Sequence, residues 1–347
     1  MAEFLHKHVA VDGSGDYTSL EACLNANEQD LTGDGWFTVE ITEGANADTS
    51  AVTIHNYTTT AADYINIIVV AGARHDGKYN TSKYRLEVTG TCLTVQEDYV
   101  RFDGMQVKCT TNADSQYGFF FSSQGANNDV RIGHSIIKGV VSGTNGGTVG
   151  ILVYESSARY TQLTVFNTIV YDFYNPNYLS TRTVYGIRCI YGDIFAYNCT
   201  VSRCATGVQD GGATDPIKAI NVVSDCDDSV ASSDFIDFVG TLTGSDYCAS
   251  HDATAPGANS QINKTFTWVG AEDFHTSDAD LIAYGTNDPG AGLYSDDIDF
   301  VARPATWSIG ADDVAAGGLS WSGAGTLTQS GAINRQFNIT RGQSGAI

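Results

Sequence analysis

Five stretches of this chain are versions of one another, and that internal repeat constrains the fold more than anything else in the sequence. They are Tyr99-Val-Arg-Phe-Asp103-Gly-Met-Gln-Val, Asp129-Val-Arg-Ile-Gly-His134-Ser-Ile-Ile, Thr161-Gln-Leu-Thr-Val-Phe-Asn167-Thr-Ile-Val, Asp193-Ile-Phe-Ala-Tyr-Asn198-Cys-Thr-Val and Pro216-Ile-Lys-Ala-Ile-Asn221-Val-Val. Each joins two β-compatible runs through a residue that tolerates left-handed backbone, and Asn, Asp and His are the non-glycine residues that do so best. The shared positions 103, 134, 167, 198 and 221 are spaced 31, 33, 31 and 23 residues apart. A further apolar run precedes each: Cys92–Val95, Tyr117–Phe121, Val149–Val153, Val184–Ile190 and Thr206–Gln209. Strands recurring at this period stack in parallel, one coil upon the next. The expected fold is all-β, a single-stranded right-handed parallel β-helix over residues 36–313 with Asn side chains bonding from coil to coil.

The two ends read differently. Residues 1–35 hold a strand, a Gly turn and a helix, with Thr18-Ser19-Leu20-Glu21 fitting a capping box and Leu20, Cys23 and Leu24 on one apolar face. A solenoid exposes apolar side chains and unpaired backbone at its open end, so this amphipathic helix is expected to cap it. Residues 229–248 read as a last, distorted coil and 249–266 as loop. Residues 314–347 are Gly/Ser-rich and β-compatible, a C-terminal tail.

Charge narrows the functional classes. Lys and Arg number 18 against 40 Asp and Glu, a formal net charge of −22. Such a surface repels phosphate backbones and anionic headgroups, which argues against nucleic-acid and membrane partners. Eight cysteines without CxxC spacing indicate neither a disulfide framework nor zinc, and Cys204 and Cys226 read as stacked interior thiols. The opening MAEFLHKHVAVDG lacks the apolar run of a signal peptide, and a virion or extracellular location is expected.

Two resemblances add to this. Asp273, His275, Ser277, Gly285, Asp299, Arg303, Pro304, Ile309, Gly310 and Ala311 resemble the closing segment of right-handed β-helix proteins of the pectate-lyase-like superfamily. The opening Asp16-Tyr17-Thr18-Ser19-Leu20 and the stretch around Arg74-His75-Asp76-Gly77-Lys78 are similar to β-helix proteins of phage and environmental bacterial origin. That superfamily spans lyases, hydrolases, esterases, tailspikes and adhesins, so it implies a fold rather than an activity. A second resemblance is to pectin methylesterases, carried by Val11–Tyr17, Gln209-Asp210, Asp234–Gly240 and Arg303-Pro304 with Trp307. It implies a catalytic set of Gln209, Asp210, Asp234 and Arg303, in which one carboxylate attacks, its neighbour protonates the leaving methanol and the arginine keeps the nucleophile ionised. Gly211-Gly212 and Asp237 depart from that family's motifs.

Other residues offer chemistry of their own. Asp225, Asp227 and Asp228 form a candidate Ca²⁺ cluster of the kind a polysaccharide lyase needs, with Arg203 or Lys218 near as base; without Ca²⁺, no cofactor is expected. Ser295–Asp299 is another acidic candidate, and His134 reads as a turn residue. The loop bearing Tyr171, Phe173, Tyr174 and Tyr178 is too aromatic for a linker and suits the apolar faces of sugar rings. Three functions remain open: a glycan-engaging protein of tailspike, adhesin or depolymerase type with a polysaccharide or surface glycan as partner and a homotrimer as one assembly; a carbohydrate-active esterase or Ca²⁺-dependent lyase; and a structural virion or surface spacer.

Overall fold

The computed structural model describes residues 3–122, 128–142, 146–154, 162–175, 184–212, 217–226 and 235–313, with the backbone of two short strands at 320–322 and 326–328. Three parallel sheets of eight, eight and seven strands run the length of the molecule. The chain visits them in turn: Val100–Asp103 lies in the first sheet, Gln106–Thr111 in the second, Tyr117–Phe121 in the third, and Val130–Gly133 returns to the first, one rung on. This is the parallel β-helix expected from the repeat, and parallel crossovers take the right-handed path.

Strand alternation sends every second side chain inward, and the coil period brings like residues into register. In the first sheet Val39, Ile67, Phe102, Ile132, Val165, Ala196 and Ala219 form one buried row, each opposite the next. Each large member contributes about 1.5–3 kcal/mol by leaving water. All eight cysteines are buried free thiols, and Cys204 and Cys226 approach within hydrogen-bonding reach.

The turn between first and second sheets is left-handed in successive coils: His134, Asn167, Asn198, Asn221 and Tyr247 have φ of 44, 44, 48, 57 and 54°. One slot differs from the sequence alignment. Asp103 pairs with Gly133 rather than His134, so Gly104, at φ 77°, turns the chain there.

The strand Glu3–Val9 pairs in parallel with Trp36–Ile41 and is therefore the terminal rung, so the stack starts before residue 36. The helix spans Leu20–Ala26 and buries Leu20, Cys23 and Leu24 in the main core. Its cap is Ser19, which accepts from the Ala22 amide; Glu21 does not close a box but accepts from Asn25 and from the Thr53 amide. Regular coils stop at Ala249–Ser250. Residues 251–313 form an arm that folds back outside the solenoid, where Phe274, Ile298 and Ala311 cover Ile136, Ile169 and Tyr171 of the second sheet. Expected as solenoid, this segment is instead its external brace.

Candidate functional site

The left-handed turns aim their side chains outward, and the arm takes them. Asn198 Nδ2 donates to the Ser308 and Gly310 carbonyls at 3.1 and 3.2 Å, and Asn221 Nδ2 to the Thr286 carbonyl at 2.7 Å. Of the expected bonds between ladder asparagines, Asn221 to Asn198 at 3.2 Å is made. Arg303 sits at the centre of the seam with no exposed side-chain surface. It pairs with Asp313 at 3.0 Å and donates to Asn167 Oδ1 and to the carbonyls of Asp296, Gly310 and Ala311. A guanidinium spent on five partners in this way holds structure together and is not offered to a substrate.

Two histidine clasps flank that arginine. His134 Nδ1 lies 2.7 Å from Asp103 and Nε2 3.0 Å from Asp296, with Phe300 stacked on the ring at 3.9 Å. Burial opposes its charged form, but the two carboxylates outweigh it and raise its pKa. His275 lies between Asp299, at 2.8 Å, and Asp273; the Asp299 bond is the leading reason its pKa rises to about 10. Both nitrogens of each ring already face carboxylates, which leaves neither ring an open position from which to act as a general base. His75 is the opposite case. Burial pushes it down to about 4, and as a neutral ring it contacts the His134 carbonyl through Nε2 and accepts from the Gly77 amide at Nδ1.

Beside the seam the outer face of the first sheet is open. Outward positions there form the row Asn66, Arg101, Arg131, Thr164 and Phe195, in register across five coils. The arm walls this row with Leu293, Tyr294, Asp296 and Phe300. The result is two adjoining depressions of about 540 and 440 Å³ that share Arg131 and Leu293. Arg101 lies over the Tyr64 ring at 3.6 Å, and Arg131 Nε bonds Asp129 Oδ1 at 2.8 Å while its Nη2 meets the other oxygen. Arg101 contacts the same carboxylate at 3.8 Å, so two stacked guanidiniums share one counter-ion. Burial first, then the Arg131 charge, lowers the Arg101 pKa, and its Nε is buried without a partner among the described residues. Asp103 and Asp296 keep 40% and 30% of their side chains exposed on this side. The groove thus offers cationic donors, carboxylates and aromatic edges along one line.

The residues singled out from sequence are scattered by comparison. Gln209 and Asp210 lie on the third-sheet strand Thr206–Asp210, and Asp210, nearly buried, accepts from the Gly212 amide. Arg303 spends its donors on the seam; Asp234 lies outside the described residues. Tyr171 and Phe173, expected to meet sugar, have no exposed surface, because the arm covers Tyr171 with Phe274 and Phe173 belongs to the main core. Tyr174 is half-buried with its ring 5.6 Å from Phe235, and Tyr178 lies outside the described residues. Asp225 accepts from the Trp268 indole at 2.6 Å, while Asp227 and Asp228 lie outside the described residues. The arginine row was missed, although the repeat shows its signal: Val-Arg recurs at Arg101 and Arg131 in aligned coils.

These features define a parallel β-helix protein whose C-terminal arm seals the turn ladder and walls a mixed-charge groove. No protein-family model, curated protein or solved structure matches the chain. Among the described residues, no helix is long and apolar enough to cross a membrane.

Proposed function

We propose that this is a glycan-engaging protein that holds an acidic polysaccharide along the groove of the first sheet. The supporting observation is the stacked pair Arg101 and Arg131, flanked in register by Asn66, Thr164 and Phe195. Rungs repeat about every 4.8 Å, close to the rise of one sugar along an extended chain, so successive rungs meet successive rings. Planar guanidiniums match carboxylate geometry through paired N–H bonds, and aromatic edges suit the C–H faces of pyranoses. The chain's acidity does not forbid such a ligand. At physiological salt the Debye length is about 8 Å, which screens distant carboxylates while leaving contact pairs intact. The likeness of the arm to the pectate-lyase-like closing segment supports a tailspike, adhesin or depolymerase type acting outside the cell or on a virion.

The test titrates the purified protein at 0.15 M salt with carboxylated polysaccharides (polygalacturonate, alginate, hyaluronate) and with neutral dextran. Carboxylated chains are expected to bind, and Arg131→Ala to weaken binding about tenfold or more, the loss of one charge-assisted contact. Equal binding of dextran, or an Arg131→Ala protein that binds as before, overturns the proposal.

A further inference from the structure

The terminal rung carries a cluster unconnected with the groove. His6 and His8 stand two apart on the strand Glu3–Val9, so alternation places both rings on the same outer face. Register sets Glu40 of the neighbouring strand directly opposite His8. Its Oε2 lies 3.2 Å from His6 Nε2 and 3.5 Å from His8 Nε2. The two imidazoles meet edge to face with centroids 4.9 Å apart, and the three ligand atoms all lie within 4.8 Å of one another.

We infer that His6, His8 and Glu40 form a binding site for a divalent transition-metal ion of the zinc or copper class. Three observations carry this. Bonds of 2.0–2.2 Å in a tetrahedral site put neighbouring ligand atoms about 3.3 Å apart, and both nitrogen-to-oxygen separations fall on that edge length. His6 also has an orienting partner: Glu3 Oε1 lies 3.3 Å from Nδ1. A proton held at Nδ1 by that carboxylate leaves the Nε2 lone pair turned to the ion, the carboxylate–histidine–metal relay of established centres. Finally, two imidazoles and one carboxylate are the donors that zinc, copper and nickel prefer, whereas calcium and magnesium take oxygen alone. The fourth position opens to solvent, because His6 and His8 are exposed. The other histidine–carboxylate group, His275 with Asp299 and Asp312, offers one imidazole and two carboxylates, so it lacks the second nitrogen donor that selects this class of ion.

Because its ligands come from the first two rungs, the site staples the open end of the solenoid when loaded. The experiment titrates the EDTA-stripped full chain with ZnCl₂ by calorimetry and with CuCl₂ by electron paramagnetic resonance. One ion is expected to bind with micromolar affinity, with copper hyperfine structure from two nitrogens. His6→Ala/His8→Ala is expected to lower affinity at least 100-fold, and Glu3→Gln, which touches no metal, about tenfold. These side chains lie on the surface, so circular dichroism is expected to match the unsubstituted protein. Zinc is also expected to raise the melting temperature of the unsubstituted chain but not of the double variant. Absence of binding up to millimolar zinc, unchanged affinity in the double variant, or a copper spectrum with a single nitrogen each overturns the assignment.

Discussion

Replacing Arg303 by methionine tests the seam, because the change keeps bulk and removes only charge and donors. Arg303 and Asp313 expose 0% and 2% of their side chains. Removing one member of a buried pair costs about 3–5 kcal/mol, most of it the penalty on the charge left behind. Here Asn167 Oδ1 and the carbonyls of Asp296, Gly310 and Ala311 also lose their donor. At roughly 2 °C per kcal/mol for a chain of this size, the melting temperature falls by about 6–10 °C. The damage is local first. Amides that tie the arm down, such as Gly310 to the Asn221 carbonyl and Ala311 to Thr200 Oγ1, are expected to exchange faster, while the core row around Ile132 and Val165 stays protected. Arg303→Met with Asp313→Leu is expected to recover part of the loss, since no buried charge is then stranded. A shift under about 2 °C with unchanged arm exchange refutes the reasoning, and Arg303 then is not what fastens the arm.

Other outcomes follow from the same contacts. Gly77 has φ +74°, and a Cβ there would lie 2.0 Å from Asp299 Oδ1 and 2.7 Å from His275 Nε2, so Gly77→Ala is expected to lower stability by about 1–3 kcal/mol in urea unfolding; an unchanged midpoint contradicts the packing. The His275 clasp binds its proton more tightly folded than unfolded. Its contribution is complete below pH 6.5 and is lost as pH rises through about 10. Calorimetry is expected to show the melting temperature falling over that window, and less steeply in His275→Gln; parallel profiles contradict the clasp. Burial pushes the thiols of Cys23, Cys199 and Cys248 up to about 12, so native protein is expected to leave a thiol reagent unreacted until denaturant releases all eight cysteines. Rapid native labelling contradicts their interior placement.

The coil was legible because two rules act together: alternation decides inside from outside, and the left-handed turn needs Asn, His or Gly at a fixed phase. One error, Asp103 for Gly104, came from aligning the acidic residue instead of the residue able to turn. The arm was legible as a motif but not as a place. Nothing in Asp273, His275 or Arg303 says that they pack against Asn167 and Gly77 from outside the coil. Tyr171 and Phe173 were misplaced for the same reason: aromatic residues beside Asn and Asp look exposed until the segment that covers them is located. The groove is a property of register, where Arg101 and Arg131 become neighbours only once their coils are stacked.

The most direct test of the central claim is hydrogen exchange on the protein with and without a carboxylated oligosaccharide. Bound ligand is expected to slow exchange in the groove wall, residues 290–300, and to leave the third-sheet strands Tyr117–Phe121 and Val149–Tyr154 unchanged. Protection confined to the third sheet, or none at saturating ligand, contradicts a glycan groove on the first sheet.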